Sequence, residues 1–154
     1  MTTVYIDADA CPVKDEALRV AERHRLKVKV VSNGGLRPNP HPLVETVVVG
    51  RSADEADQWI ADRIGPGDIC VTGDIQLALR CIDAGSEALN HNGEVFTKAN
   101  IGQRMAMRDL MADIRAANPL AAGGSGKSFS KKDRSNFLNG LERLVQQAKR
   151  TRAP

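Results

Sequence analysis

Five short apolar runs, each closed by a turn or a helical pattern, constrain this chain more than any other feature. Residues 3–7 (Thr-Val-Tyr-Ile-Asp), 27–32 around Val28, Val30 and Val31, 43–49, 68–72 and 87–89 read as strands. Residues 13–24, 53–64 and 75–84 read as helices; the first places Val13, Ala17, Leu18 and Ala21 on one face. This alternation predicts an α/β domain with a mostly parallel sheet flanked by helices. One connection breaks the pattern. Asn33-Gly34-Gly35 ends the second strand, and Pro38, Pro40 and Pro42 keep the next stretch irregular, so no helix is expected there.

Past Thr97 the periodicity changes. Residues 98–117 read as a long helix with Met107, Leu110, Met111 and Ile114 along one stripe. Residues 119–129 contain Ala-Ala-Gly-Gly-Ser-Gly and read as a flexible linker. Ser130 and Asp133 then resemble a capping box, with Asp in place of Glu or Gln. The helix that follows carries Phe137, Leu138, Leu141, Leu144, Val145 and Ala148 on one face. The expected organisation is an α/β domain over 1–118, a linker over 119–129, and a basic helix over 130–154 packed on the same domain.

At 154 residues, the chain fits one domain with a core that needs no staples. An apolar share of 42% excludes global disorder. Aromatic residues at 3% argue against a base-stacking platform. No apolar run approaches the length of a membrane span, and Asp7 and Asp9 stand where a signal peptide needs a basic flank. Cys11, Cys70 and Cys81 form no CxxC pair, which disfavours disulfides and a thiolate zinc site. A cytoplasmic location is expected. The net charge of +3 hides an asymmetry: residues 1–97 carry −5 and residues 98–154 carry +8. A basic back behind an acidic front suits an anionic partner, although a solvated basic helix accounts for the charge equally well.

Four carboxylates stand out. Asp7 and Asp9 lie where the first strand ends, and Asp74 lies at the corresponding place after the fourth. In a doubly wound sheet those strand ends flank the crevice where strand order reverses, which is where ligands bind. Asp57 is singled out by angle. Ser52 and Glu55 fit a capping box, so a helix starting near Ala53 places Asp57 only about 40° from Ala53, on the apolar stripe of Ile60 and Ile64. Three of them also have a plain structural reading: Asp9 as a turn or cap, Asp74 as an N-cap, Asp57 as the partner of an arginine such as Arg19. Together, Asp7, Asp9, Asp57 and Asp74 are like charges that a divalent cation would gather. Oxygen-only donors favour Mg²⁺ or Mn²⁺, and phosphodiester hydrolysis is the natural chemistry.

The segments Asp-Ala-Asp-Ala-Cys-Pro-Val (7–13), Asp54-Glu-Ala-Asp57-Gln-Trp-Ile, Val71-Thr-Gly-Asp74-Ile-Gln-Leu-Ala and Phe129-Ser-Lys-Lys-Asp-Arg134-Ser-Asn-Phe137 resemble the bacterial YaiI/YqxD family, in order and over nearly the whole chain. That family is functionally uncharacterised and is grouped with PIN-like domains. The resemblance implies a 3-2-1-4-5 parallel sheet, a metal-dependent nuclease activity, and Asp7, Asp9, Asp57 and Asp74 at the acidic positions. The chain departs from a typical PIN domain in two ways: one helix follows the first strand where a pair is usual, and the late region is basic where a further acid is usual.

Other readings remain. Val4-Tyr-Ile-Asp-Ala-Asp approaches the motif of a haloacid-dehalogenase-like phosphohydrolase, with Asp7 as nucleophile, but Cys11 stands where the motif has another residue. A non-catalytic metal- or RNA-binding module is the third. Gly123-Gly-Ser-Gly-Lys127-Ser128 is no P-loop, because Ala121 replaces the first glycine and a helix precedes it. Lys127, Ser130, Lys131, Lys132 and Arg134 are candidates for holding a nucleic-acid backbone, RNA favoured over DNA, against the acidic crevice. The structural alternative is that Asp133 and Arg134 tie the helix start while Phe129 and Phe137 anchor it. His24, His41 and His91 show no ligand spacing and are expected at the surface or in loops.

Overall fold

The computed structural model describes residues 2–9, 11–52, 54–117 and 129–152. Its elements are β1 (Thr3–Asp7), α1 (Lys14–Arg23), β2 (Lys27–Ser32), β3 (Val44–Val48), α2 (Glu55–Arg63), β4 (Ile69–Val71), α3 (Ile75–Asp83), β5 (Glu87–Leu89), α4 (Lys98–Ala117) and α5 (Lys131–Arg152). The five strands pair in parallel in the order β3-β2-β1-β4-β5. The expected α/β class and the 3-2-1-4-5 order are both present. The chain starts in the centre of the sheet, works outward to β3, then returns to the other side of β1. Strand order therefore reverses between β1 and β4, where Tyr5 stands opposite Cys70 and Ile6 opposite Val71.

Side-chain alternation sends successive residues to opposite faces. Val4, Ile6, Val28, Val30, Ile69, Val71 and Leu89 enter one core layer with Ala17 and Val20 of α1 and Val13, its N-cap, and with Phe137, Leu141, Leu144 and Val145 of α5. Tyr5, Val31, Cys70 and Ala88 enter the other, under Ala56 and Ile60 of α2, Leu77, Ala78 and Cys81 of α3, and Ile101 of α4. Both faces are covered, which is why the strands read as nearly continuous apolar runs. The β2–β3 connection crosses the sheet without a helix. Residues 33–43 are long enough to return alongside a strand only about 17 Å in length when largely extended.

The last helix is tied in closely. Ser130 and Asp133 form the expected reciprocal box: the Asp133 N–H donates to Ser130 Oγ at 3.1 Å, and the Ser130 N–H donates to Asp133 Oδ2 at 3.0 Å. Arg134 donates to the Pro12 carbonyl and to Glu16 Oε1, each at 2.9 Å, and its guanidinium lies over the Phe129 ring. Farther along, Glu142 pairs with Arg23, the last residue of α1, and with His24, its C-cap. Gly140 packs against the turn at Gly93, where an added Cβ would sit 2.8 Å from the Gly93 carbonyl oxygen. Gly93 itself has φ +90° and meets the backbone of Asn136, so only glycine fits there.

One local expectation is corrected. α2 starts at Glu55, and its N-cap, Asp54, makes no side-chain cap bond. The Ser52–Glu55 box does not form, because the Glu55 carboxylate lies against Gly50. The apolar stripe of α4 faces outward: Met107, Leu110, Met111 and Ile114 are exposed, while Ile101 and, in part, Met105 pack on the domain. At about 1.5 Å per residue, a 20-residue helix is about 30 Å long, and only its first turns reach α3. The expected linker, 119–129, lies outside the described residues apart from Phe129. No helix among the described residues is long and apolar enough to cross a membrane.

Candidate acidic site

The site begins with strand register. Tyr5 and Cys70 are opposed on one face, so the next residues on that face, Asp7 and Thr72, are brought together beyond the last pair. Thr72, fully buried, donates its hydroxyl to Asp7 Oδ2 at 2.9 Å and accepts the Asp74 N–H at 3.0 Å. One side chain thereby links the two strand ends. Asp74 caps α3, accepting from the Gln76 N–H at 2.9 Å and the Leu77 N–H at 3.3 Å. The capping reading of Asp74 holds, and the same carboxylate lines the cleft described below.

Asp57 reaches the site from above. α2 lies on the face to which Asp7 and Thr72 point, and Asp57 stands half-buried beside buried Ala56. Burial, the Asp74 charge, a hydrogen bond with Asp74 and the Asp7 charge push its carboxyl up to about 7, against a smaller opposing pull from Arg80. Arg19 is not its partner; that guanidinium lies 3.7 Å from Glu16. The Asp7 carboxyl is raised by burial and then by Asp74 and Asp9, while the Thr72 hydrogen bond works the other way. Asp9 lies farther out. Its carboxylate accepts the Asn33 N–H at 3.1 Å from the end of β2, and the Asn33 amide, in the orientation that satisfies its neighbours, donates to the same oxygen at 3.2 Å.

Asp7, Asp9 and Asp74 line a cleft of about 450 Å³ together with Gly73, Ile75, Gln76 and His91. Asp57 adjoins it through Asp74. His91 is the residue that sequence reasoning missed. It is part-buried, its Nε2 has no hydrogen-bond partner, and burial lowers its pKa. Gly73 makes room for it: a Cβ there would lie 3.2 Å from His91 Cε1. Cys11, on the other side of Asp7, has its thiol pushed up to about 11 chiefly by burial, which suppresses the thiolate. Among the described residues, no three carboxylate, histidine or cysteine groups stand placed to enclose one ion together. The contacts between the carboxylates are pairwise. Their donor chemistry, four like charges that repel one another, fits a hard divalent cation.

Of the proposed backbone-binding residues, Arg134 and Ser130 are engaged in holding α5, Lys131 and Lys132 are exposed at its start, and Lys127 lies outside the described residues.

The carboxyl shifts carry a stability consequence. Asp57 in the fold holds its proton to about pH 7, whereas in the unfolded chain it releases it near 3.9. Between those values the native state binds more protons, so this group's contribution to stability falls as pH rises. In EDTA, Asp57→Asn is expected to match the parent's Tm near pH 4 and to exceed it at pH 8 by about 3 °C or less, since exposure weakens the effect. Comparing the two proteins cancels the opposing contribution of His91, whose neutral form is favoured by burial. Parallel Tm profiles across that range would remove Asp57 from the repelling cluster.

The sequence model of the uncharacterised YaiI/YqxD family matches residues 5–147. The chain is 65% identical over 150 residues to the UPF0178 protein SPO3827 of Ruegeria pomeroyi, covering 97% of each. It is 65% identical over 148 residues to UPF0178 protein RD1_0321 of Roseobacter denitrificans, covering 96% of this chain and 97% of that one. It is 54% identical over 154 residues to a UPF0178 protein of Parvibaculum lavamentivorans, covering 100% of both. No solved structure matches. With a family match across nearly its whole length and full-length relatives at this identity, the chain belongs to the YaiI/YqxD family.

Proposed function

We propose that the protein is a divalent-metal-dependent phosphodiesterase acting on nucleic acid, a PIN-like nuclease in reaction type. The observation that carries this reading is the meeting of Asp57, Asp74 and Asp7 where strand order reverses, with their burial and, after it, their mutual repulsion expressed in the raised Asp57 and Asp7 carboxyls. Asp7 and Asp74, fixed by Thr72 and by the α3 cap, would hold Mg²⁺ or Mn²⁺, with Asp9 and Asp57 adjoining. A bound ion of this kind polarises a phosphoryl oxygen and makes water nucleophilic at neutral pH. The chain's own part is to keep the carboxylates fixed, to keep them turned toward the cleft, and to hold Asp57 beside Asp74, where it could take up or release a proton.

Metal binding to the folded state alone raises Tm. Millimolar Mn²⁺ or Mg²⁺ is expected to raise the parent's Tm by several degrees over EDTA, with a smaller rise in Asp74→Asn. A panel of RNA, DNA and small phosphodiesters incubated with Mn²⁺ should show hydrolysis. A Tm indifferent to both ions, together with no turnover on the panel, would defeat the reading.

A further inference from the structure

We propose that the outward face of α5 is a binding track for a single strand of nucleic acid, running from the acidic cleft toward the far end of the sheet, with Arg143 and Arg150 as its principal phosphate contacts. At about 100° per residue, Lys132, Asn136, Asn139, Arg143 and Arg150 fall within about 40° of one direction, opposite the buried face of Phe137, Leu141 and Leu144. All five are exposed. Lys132 and Arg143 are separated by about 16 Å along the axis, and Lys132 and Arg150 by about 27 Å.

The face carries no carboxylate of its own helix. The two carboxylates of α5 are engaged elsewhere: Asp133 in the cap with Ser130, and Glu142 with Arg23 and His24. Among the described residues, Lys132, Arg143 and Arg150 have no carboxylate partner, whereas Arg134 and Lys98 do.

The track is joined to the cleft by one turn. His91 lines the acidic cleft, and the residues directly after it, Asn92 and Gly93, line a polar cavity of about 360 Å³ with Asn136, Asn139 and Arg143. Glu94 lines that cavity as well and is paired with Arg104. The close backbone approach of Gly93 to Asn136 fixes the turn against the helix. A polyanion repelled by the acidic front is thus met by cations one turn away, and the asparagine amides between them supply donors and acceptors for phosphate, sugar or base edges. The cations stand in single file, which suits one backbone. No aromatic side chain lies on the face, so binding is insensitive to sequence and sensitive to salt.

The identity of the strand's destination rests on the proposed function, but the track is tested without turnover. The full chain is titrated in EDTA against labelled mixed-sequence 20-nucleotide RNA and DNA single strands, by fluorescence anisotropy at 50 to 200 mM salt. Arg143→Ala/Arg150→Ala is expected to bind about tenfold or more weakly at the low end and to flatten the log–log salt slope by about 1.4, two phosphates at about 0.7 each. Its Tm should stay near the parent's, and Lys98→Ala, on the other layer, should bind as the parent does. Parent-like affinity and slope in the double variant would overturn the track. So would tighter binding of the parent to duplex, or to an acidic polypeptide, than to single strands. If the double variant loses binding and the parent hydrolyses nothing with Mn²⁺, the track stands and the catalytic reading falls. If hydrolysis is present and the double variant binds normally, the reverse holds.

Discussion

Asp7→Asn and Asp74→Asn are each expected to lower metal-dependent phosphodiester hydrolysis roughly 10³-fold, about 4 kcal/mol of transition-state stabilisation. Both substitutions remove charge while sparing structure. In Asp7→Asn the new amide oxygen can still accept the Thr72 hydroxyl. In Asp74→Asn the cap of α3 survives, because Asn and Asp are about equal as N-caps. Asp74→Ala, by contrast, also loses the cap, at about 1 kcal/mol of stability. The comparison separates chemistry from folding: the two amide variants should lose activity with Tm in EDTA equal to or above the parent's, because each relieves repulsion in the cluster. Initial rates with Mn²⁺ on whichever substrate the parent hydrolyses, measured alongside thermal melts, decide it. Retention of more than about a tenth of the parent rate in both variants would show that the carboxylates do not carry the reaction.

Phe137→Ala is expected to destabilise the fold by about 3–5 kcal/mol and to lower Tm by about 10 °C or more. Phe137 is fully buried between α5 and the sheet, in the layer it shares with Val4, Ile6 and Leu89. The β strands beneath cannot move to fill the void, because their other faces are packed as well. Leu138, one residue on and only partly buried, should cost less than half as much when truncated. A chemical-denaturation series on both variants measures the difference. Near-parental stability in Phe137→Ala would mean that α5 does not seal this core.

The fold was legible because each level of the sequence agrees with the next. Val4, Ile6, Val28, Val30, Ile69 and Val71 are β-branched and bounded by turns, and the helical stripes of α1, α3 and α5 are apolar on the side the sheet needs. Asp7 and Asp74 could be placed because a parallel doubly wound sheet gathers its strand ends, and Asp57 because its angle on α2 conflicts with its charge. The partners that hold them were hidden. Thr72 joins Asp7 and Asp74 only through the β1–β4 register, across 65 residues, and Asn33 reaches Asp9 from the neighbouring strand end. His91 carries no spacing signal; it enters the cleft because Gly73, far away in sequence, lacks a side chain. The Ser52–Glu55 motif misled because a local hydrogen bond competed with the close approach of Glu55 to Gly50. The exposure of the α4 stripe was not legible, because periodicity reports an apolar face without reporting whether anything covers it.

The bond from Arg134 to the Pro12 carbonyl spans 122 residues, and the core layer beneath it is shared by the first strand and the last helix. This gives synthesis a definite order of risk. β1, α1 and β2 leave the ribosome with Val4, Ile6, Val28 and Val30 made, but Phe137 to Val145 follow more than a hundred residues later. At about 5–20 residues per second, that gap lasts roughly 5 to 23 s. During it the β1–α1–β2 unit carries an apolar flank with nothing to seal it, and the chain depends on late closure by α5 rather than on early local collapse. Slowing translation after α4 would lengthen that exposure, and the nascent chain would be most open to chaperone capture or aggregation in that window.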